Sequence, residues 1–136
     1  MRIGELARKS GFASSTIRYY ERVGVLRAAA RQNGQRHFAA EVEHHLSVIA
    51  FARRAGFTLT EIRDLFHGFE ASAPASHRWR KLGRKKIRDI DQLVARLQRM
   101  QKMLKGSARC RCVKLEDCGR LMRAQILTKR PPATLE

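Results

Sequence analysis

Two short amphipathic segments at the N-terminus, joined by a glycine-containing turn, constrain the fold of this chain most strongly. The first, IGELARKS at residues 3–10, carries apolar residues at helical spacing. The second, SSTIRYYERVGVL at residues 14–26, begins with serines that can cap a helix, and Gly24 is expected to end it. Gly11 begins the turn between them. A helix, a tight turn and a second helix predict a helix-turn-helix, whose second helix enters the major groove of DNA.

The second helix is expected to divide its side chains between a core and a ligand. Ile17, Tyr20 and Val23 follow one another at spacings of three, so they share a side that can pack inward. Arg18 and Tyr19 point away from that side. A guanidinium and a phenol in that position can meet a phosphate or a base edge.

A second signal for DNA recognition follows the helix pair. Asn33-Gly34 is a strong tight-turn signal, because both residues accept a positive φ angle. The flanking residues 31–32 and 35–37 are predicted to form short strands, which gives a wing with a basic tip. Arg36 can donate to a phosphate through its forked guanidinium, and the alternative is a solvated surface charge. His37 can make a weaker contact of the same kind.

The charge of the chain indicates its class of partner. Among 136 residues, 29 are Lys or Arg and 12 are Asp or Glu, which gives a formal net charge of +17. Such a surplus favours a polyanion, and nucleic acid is the first candidate. No apolar run approaches the length of a membrane span, and no signal peptide precedes the first helix. We therefore expect no membrane partner and a cytoplasmic protein whose thiols stay reduced.

Two more helices are expected to complete the N-terminal domain. The segment at residues 39–55 is amphipathic, and the segment TEIRDLFHGF follows it, capped by Thr58 or Thr60. The small, polar, proline-containing stretch at residues 71–76 is predicted to be a linker. The domain before it then spans residues 1–70.

A long helix is predicted over residues 77–105, which contain no proline. Its apolar residues step by three and four, as in the a/d seam of a coiled coil. The seam consists of Ile90, Leu93, Leu97, Met100 and Leu104. Because the sequence leaves this seam no intramolecular partner, we expect it to pair with a second chain in a two-fold dimer. Residues 106–127 are then predicted to form a cysteine-rich loop and a short helix, and residues 128–136 a flexible tail.

Three cysteines within nine positions suggest a ligand or redox site rather than a disulfide framework. Cys110, Cys112 and Cys118 can offer three thiolates to a thiophilic ion such as Zn(II), Cu(I) or Hg(II). Four cations lie near them in sequence: Arg109, Arg111, Lys114 and Arg120. These cations favour the thiolate form, so a thiol switch without metal is a second interpretation. A purely structural cysteine group is the third.

Four stretches resemble the DNA-binding domain of the MerR family of bacterial transcription regulators: IGELA, STIRYYERVGVL, NGQRHF and FARRAGFTLTEIRDLF. The resemblance implies a winged helix-turn-helix, followed by a long helix that forms an antiparallel coiled coil in a homodimer. It also implies promoter DNA and RNA polymerase as partners, because such proteins bind promoters with an overlong spacer and activate them by bending and untwisting the DNA. The residues expected to contact DNA are Ser15, Thr16, Arg18, Tyr19, Tyr20, Arg31, Arg36 and His37.

The cysteine spacing C-x-C-x5-C is similar to the last three cysteines of the SoxR branch of this family, which hold a redox-active 2Fe–2S cluster. In that branch a tryptophan near the start of the dimer helix lies beside the partner's cluster, and Trp79 occupies the matching position. Ser107 stands where that branch has its remaining cysteine, and a neutral serine is a poor substitute. His77 of the partner subunit offers a replacement ligand. Metal-sensing branches often carry a cysteine at the start of the dimer helix, where this chain has Ser76.

The sequence thus predicts a mainly α-helical, dimeric regulator that senses redox state or a metal through its three cysteines and is not an enzyme. One alternative is a constitutive DNA-architectural protein, whose binding would depend on salt and ignore reductant and chelator. The other is a catalytic redox protein that uses Cys110 and Cys112. A C-x-C pair outside a thioredoxin-like βαβ setting disfavours it.

Overall fold

The computed structural model describes residues 1–128 and consists mainly of α-helices. Its elements in chain order are α1 (Ile3–Ser10), α2 (Ser14–Arg22), β1 (Ala30–Gln32), β2 (Gln35–His37), α3 (Val42–Arg54), α4 (Leu59–His67), α5 (Ala75–Ser107) and α6 (Leu115–Thr128). The predicted fold class is confirmed, with a helix-turn-helix at the N-terminus and a long helix towards the C-terminus. Within the described residues, no helix is long and apolar enough to cross a bilayer.

The helix-turn-helix consists of α1, a turn at Gly11 and α2. Gly11 has a φ angle of 77°, a left-handed conformation that glycine adopts without a steric penalty. The residue that precedes α2 in the capping position is Ala13, whose side chain accepts no hydrogen bond. The predicted serine cap is therefore wrong, since Ser14 already lies within the helix.

The wing is an antiparallel hairpin of β1 and β2, in which Arg31 pairs with Arg36. Asn33 and Gly34 form its turn with φ angles of 51° and 76°, as predicted from their types. The hairpin is attached to the domain through Phe38, which is buried in the core. The ammonium of Met1 also donates to the Phe38 carbonyl at 2.6 Å, and the Phe38 amide donates back to the Met1 carbonyl at 2.7 Å.

One hydrophobic core holds α1 to α4 and the wing together. Its buried members are Leu6, Ile17, Tyr20, Val25, Leu26, Phe38, Leu46, Ile49, Ala52, Phe57 and Ile62. The start of α4 is fixed by a capping box, in which the Glu61 amide donates to the Thr58 hydroxyl and the Thr58 amide donates to the Glu61 carboxylate. The prediction that Thr58 or Thr60 caps this helix is confirmed for Thr58.

The first turns of α5 belong to the same compact unit, which spans Met1–Lys86. Trp79 lies edge-on to Phe51 and Phe57, with ring centroids 5.8 and 6.0 Å apart, and Leu82 packs against the same core. The unit therefore extends past residue 70, where the sequence predicted the domain to end, because these two side chains attach the helix to it. The linker predicted at residues 71–76 overlaps α5, which begins at Ala75.

Arg78 fixes the segment between α4 and α5. Its guanidinium donates to the carbonyls of Leu65 and Phe66 at the end of α4, at 3.2 and 3.0 Å. It also donates to the carbonyls of Glu70 and Ala73 in the following segment, both at 3.1 Å. One side chain therefore satisfies carbonyls at the end of α4 and, at Ala73, within the predicted linker.

A second unit begins at Ile87 and contains the rest of α5 and α6. None of its described residues is buried, and the seam residues Ile90, Leu93 and Leu97 are 40%, 44% and 46% exposed. Pairing of this seam with a second chain stays a prediction. The predicted tail at residues 128–136 lies outside the described residues, apart from Thr128 at the end of α6.

Candidate nucleic-acid interface and metal centre

The outer side of α2 presents most of the residues expected to contact DNA. Ser15, Arg18 and Tyr19 are exposed, and Thr16 is half-buried. The guanidinium of Arg22 lies 5.3 Å from the centroid of the Tyr19 ring, so a cation accompanies the phenol on this surface. Ile17 and Tyr20 point inward and pack in the core. Ser15, Arg18, Tyr19 and Arg22 lie on the opposite, exposed side of the helix.

Tyr20 occupies a different environment from the other predicted contact residues. It is only 8% exposed, belongs to the core cluster, and meets Phe12 edge-on with ring centroids 6.0 Å apart. The structure therefore supports the inward packing that the helical spacing indicated, and leaves little of this side chain for a nucleic acid. Its contact with DNA was predicted from the family resemblance.

A shallow depression beside α2 contains one residue that sequence reasoning missed. It is lined by Ser15, Thr16, Tyr19, Tyr20, Arg53 and Leu59. Arg53 lies in the last turn of α3 and Leu59 begins α4, so both helices reach the surface that α2 presents. As a cation in that last turn, Arg53 interacts favourably with the helix dipole. Its position here adds a guanidinium to the predicted contact surface.

The wing residues divide between exposure and internal pairing. Arg31 is exposed, whereas the Arg36 side chain is 33% exposed and its Nε donates to Glu21 Oε1 at 3.1 Å. The other carboxylate oxygen of Glu21 accepts the Ala29 amide at 3.0 Å. Arg36 thus connects the wing to α2 through an ion pair that the sequence did not reveal. His37 is half-buried and its backbone bridges to that of Arg2.

The three cysteines converge at the start of α6. The sulfur atoms of Cys110, Cys112 and Cys118 all lie within 4.8 Å of one another, and those of Cys110 and Cys118 are 3.4 Å apart. The loop between α5 and α6 carries the first two, and the first turns of α6 carry the third. Within residues 1–128 this is the only group of three or more His, Cys, Asp and Glu side chains arranged to hold a metal ion.

Hydrogen bonds within the cluster give Cys110 and Cys112 different pKa values. Hydrogen bonds from the Cys112 side chain and amide lower the pKa of Cys110, and the amide nitrogen lies 3.3 Å from the Cys110 sulfur. The hydrogen bonds to Cys110 and Cys118 raise the pKa of Cys112 to about 12. Cys110 is therefore the thiolate that its neighbours stabilise.

The donor set fits a thiophilic ion better than an iron–sulfur cluster. Three sulfurs at these separations can surround one ion, since metal–sulfur bonds of about 2.3 Å are typical of zinc sites. A 2Fe–2S cluster requires four protein ligands, and the chain has three cysteines. Ser107, at the position of the remaining cluster cysteine, donates its hydroxyl to the Leu104 carbonyl at 2.8 Å.

Both other residues assigned to this centre, His77 and Trp79, lie in the first unit. The His77 ring is exposed and sits 6.1 Å from that of Phe69. Trp79 contacts Phe51 and Phe57. Their approach to the thiols of a partner chain stays a prediction.

Comparisons with known proteins identify the family of the helix-turn-helix and of the long helix that follows it. The model of the MerR HTH family regulatory proteins matches residues 1–68, and the model described as MerR, DNA binding matches residues 43–106. The HTH-type transcriptional regulator HmrR of Rhizobium leguminosarum bv. viciae is 34% identical over 124 residues, which cover 86% of this chain and 96% of HmrR.

Two further matches cover most of this chain. The mercuric resistance operon regulatory protein of Bacillus cereus is 35% identical over 104 residues, which cover 76% of this chain and 79% of that protein. The crystal structure of a MerR family transcriptional regulator from Listeria monocytogenes is 25% identical, with a TM-score of 0.55 over 95% of this chain and 99% of that one. The winged helix-turn-helix, the long helix after it and these matches together show that the chain belongs to the MerR family of transcription regulators.

Proposed function

We propose that this protein is a homodimeric, promoter-binding regulator that senses a thiophilic metal ion through Cys110, Cys112 and Cys118. The observation that carries the proposal is the convergence of three sulfur atoms within 4.8 Å of one another. Soft thiolate ligands select ions such as Hg(II), Cu(I) and Zn(II). The similarity to a mercuric resistance operon regulatory protein supports a metal as the signal.

The DNA-binding part of the proposal assigns α2 to the major groove and the wing to the adjacent phosphate backbone. Arg18 and Tyr19 are exposed on α2 and are the candidates for base or phosphate contact. Arg31 extends the contact at the wing, and Arg53 adds a phosphate contact from the end of α3. The net charge of +17 suits this polyanionic partner.

Coupling of the two sites requires a second chain. The exposed seam of α5 would pair two protomers in the antiparallel arrangement that the family resemblance implies. The cysteine-containing loop of each protomer would then lie at the dimer interface. A bound ion would replace the protons of the thiols, change the local charge and thereby favour one of two dimer geometries. The favoured geometry would distort the promoter for RNA polymerase in the cytoplasm. No catalytic role is proposed.

A thiol switch is the second candidate, and it rests on the 3.4 Å separation of the Cys110 and Cys118 sulfur atoms. A disulfide requires about 2.05 Å between them, so only a small movement would be needed. The two thiols would lose two protons and two electrons, which a peroxide would accept as it is reduced to an alcohol or water. This reaction needs no metal, and the first experiment below separates it from metal sensing.

The test begins with the protein purified under anaerobic conditions, its metal content and its visible spectrum. Metal sensing predicts a colourless protein that binds one thiophilic ion per chain and changes its effect on transcription when the ion is added. Cys112→Ser should weaken metal binding by more than the ~10–100-fold that loss of an outer partner typically costs. The same variant should keep its affinity for a duplex selected from a random-sequence pool.

Ser107→Ala is the matched control, because it changes a neighbouring hydroxyl and leaves all three thiols in place. It should bind metal as the wild type does. A visible spectrum with iron and sulfide would overturn the metal proposal in favour of the cluster. A response to peroxide that persists after chelation would overturn it in favour of the thiol switch.

A further inference from the structure

The first turns of α5 carry an unusual concentration of positive charge. Seven of the eleven residues in RWRKLGRKKIR, residues 78–88, are Lys or Arg, and none is acidic. Two of them have partners in the fold, since Arg78 binds backbone carbonyls and Lys86 pairs with Glu61 at 2.7 Å. The remaining cations therefore need an explanation of their own.

Four of these cations form one exposed surface, which we call the basic face: Arg80, Lys81, Arg84 and Lys85. An α-helix turns about 100° per residue, so the four lie within about 140° of one another. Lys81 also approaches the Phe69 ring at 5.8 Å. None of the four pairs with a carboxylate in the part of the chain that the structure describes.

The basic face stays accessible because both other contacts of α5 use different sides of the helix. Trp79, Leu82 and Lys86 face the core of the first unit, roughly 160° from the centre of the basic face by helical geometry. The seam predicted to meet a second chain lies roughly 170° away. Neither attachment to the core nor dimerisation through the seam would cover these cations.

We infer that the basic face is a second surface for duplex DNA, outside the half-site that α2 reads. Like charges at i and i+4, as in Arg80 with Arg84 and Lys81 with Lys85, destabilise a helix. A polyanion would relieve that repulsion. The four cations span about 7.5 Å of helix axis, and a duplex of that length carries about four phosphate charges. The inference extends the proposed DNA binding and leaves the identity of the effector aside.

The chemistry of the basic face favours a duplex backbone over other nucleic acids. Single strands are typically held by aromatic side chains on which bases stack. Trp79 is engaged with Phe51 and Phe57 on the other side of the helix. The aromatic ring beside the basic face, that of Phe69, is half-buried and already contacts His77 and Arg78. Amine and guanidinium groups without such a platform contact phosphates irrespective of sequence.

The test compares the wild type with the triple variant Arg80→Gln, Arg84→Gln and Lys85→Gln on two duplexes. The first is the duplex selected from the random-sequence pool, trimmed to the base pairs that the variant protects from nuclease digestion. The second is the same duplex extended at each end by about one helical turn, ~10 base pairs. On the extended duplex the wild type should gain affinity. Its salt dependence should also steepen by up to about 3.6 per protomer, since each of the four phosphate contacts contributes ~0.9. The variant keeps only Lys81 of the basic face and should gain at most about a quarter of that increase.

A charge-matched control is Arg99→Gln, Lys102→Gln and Lys105→Gln, which removes three exposed cations farther along α5. It should respond to duplex extension as the wild type does. The inference is overturned if extension changes nothing for the wild type, if both triple variants behave alike, or if the test variant loses equally on both duplexes. A wild type that binds no selected duplex would instead refute the proposed function.

Discussion

The two units of this chain maintain their structure in different ways. The unit that ends at Lys86 has its own core, in which Leu6, Ile17 and Leu46 are fully buried. Beyond Lys86 none of the described residues is buried, although the helix continues. Most of the stability of a protein helix comes from packing of its apolar side, and the apolar residues of this part of α5 stay largely exposed. The first unit is stabilised by its own core, whereas the second unit is expected to need a partner helix, an ion or both.

The largest expected effect comes from charges placed in the seam, as in Leu93→Glu combined with Leu97→Glu. Each leucine that dimerisation buries contributes about 1.5–3 kcal/mol to the stability of the dimer. Because each protomer has two of them, the double substitution removes four leucines from the dimer, or at least about 6 kcal/mol. The dissociation constant should rise about ten-thousand-fold, and sedimentation velocity would report monomers. Unfolding of the first unit should be unchanged. Gln92→Glu, on the side of the helix away from the seam, is the control, and a dimer that survives the double substitution would contradict the predicted interface.

A smaller but still large effect is expected in the core of the first unit. Leu46→Ala should lower the free energy of unfolding by about 2–5 kcal/mol, because it removes a fully buried side chain and leaves a cavity. Urea denaturation followed by circular dichroism measures this change. Ser47→Ala, the exposed neighbour on α3, should cost far less. Equal effects of the two substitutions would show that the first unit does not depend on this core.

The next effect concerns DNA binding and compares two adjacent cations. Arg53→Ala should weaken binding to any duplex about tenfold, or ~1.4 kcal/mol, and lower the salt slope by about one, since Arg53 lies beside α2. Arg54→Ala removes the same charge from a residue outside that depression and should change the affinity much less. Fluorescence anisotropy at several salt concentrations measures both. If Arg54→Ala has the larger effect, the proposed contact surface is misplaced.

The smallest effect concerns the ion pair between Glu61 and Lys86. Burial raises the pKa of the Glu61 carboxyl, but hydrogen bonds from Lys86 and Thr58 outweigh it, so that the pKa lies below its ordinary value of 4.5. A carboxyl with a lowered folded-state pKa stabilises the fold above its unfolded-state pKa. That stabilisation disappears as the pH falls through the folded-state value.

Lys86→Ala should therefore cost about 1 kcal/mol near neutral pH, and the difference from the wild type should shrink as the solution is acidified through that range. Thermal unfolding at a series of pH values provides the measurement. Lys85→Ala removes the adjacent exposed cation and should show no such pH dependence. A constant difference at all pH values would mean that the pair contributes by packing alone.

Local signals in the sequence predicted much of the fold. Asn33-Gly34 indicated the hairpin because its turn needs positive φ angles, and the spacing of Ile17 and Tyr20 indicated the buried side of α2. Contacts between distant residues could not be predicted in this way. The pair of Glu21 with Arg36 and the attachment of Trp79 to Phe51 and Phe57 depend on the tertiary fold.

The site was predictable to a similar extent. The spacing of the cysteines indicated a shared centre, and their convergence agrees with that interpretation. Phe51 shows where the pattern ends: the segment at residues 39–55 is amphipathic, yet this apolar side chain is 64% exposed and meets the Trp79 ring edge-on. Arg53 could not be assigned to this surface from the sequence, because only the tertiary fold brings the end of α3 beside α2.

The hydrogen bonds from Arg78 to four backbone carbonyls make the segment between α4 and α5 a rigid connection. A rotation of the first turns of α5 must either break hydrogen bonds to Leu65, Phe66, Glu70 and Ala73 or carry the end of α4 with it. The first residue of α4, Leu59, lines the depression beside α2. A rotation of the first turns of α5 would therefore move α4 as a whole and shift the proposed DNA-contact surface. The Arg78 guanidinium would thus set how much of that rotation is transmitted.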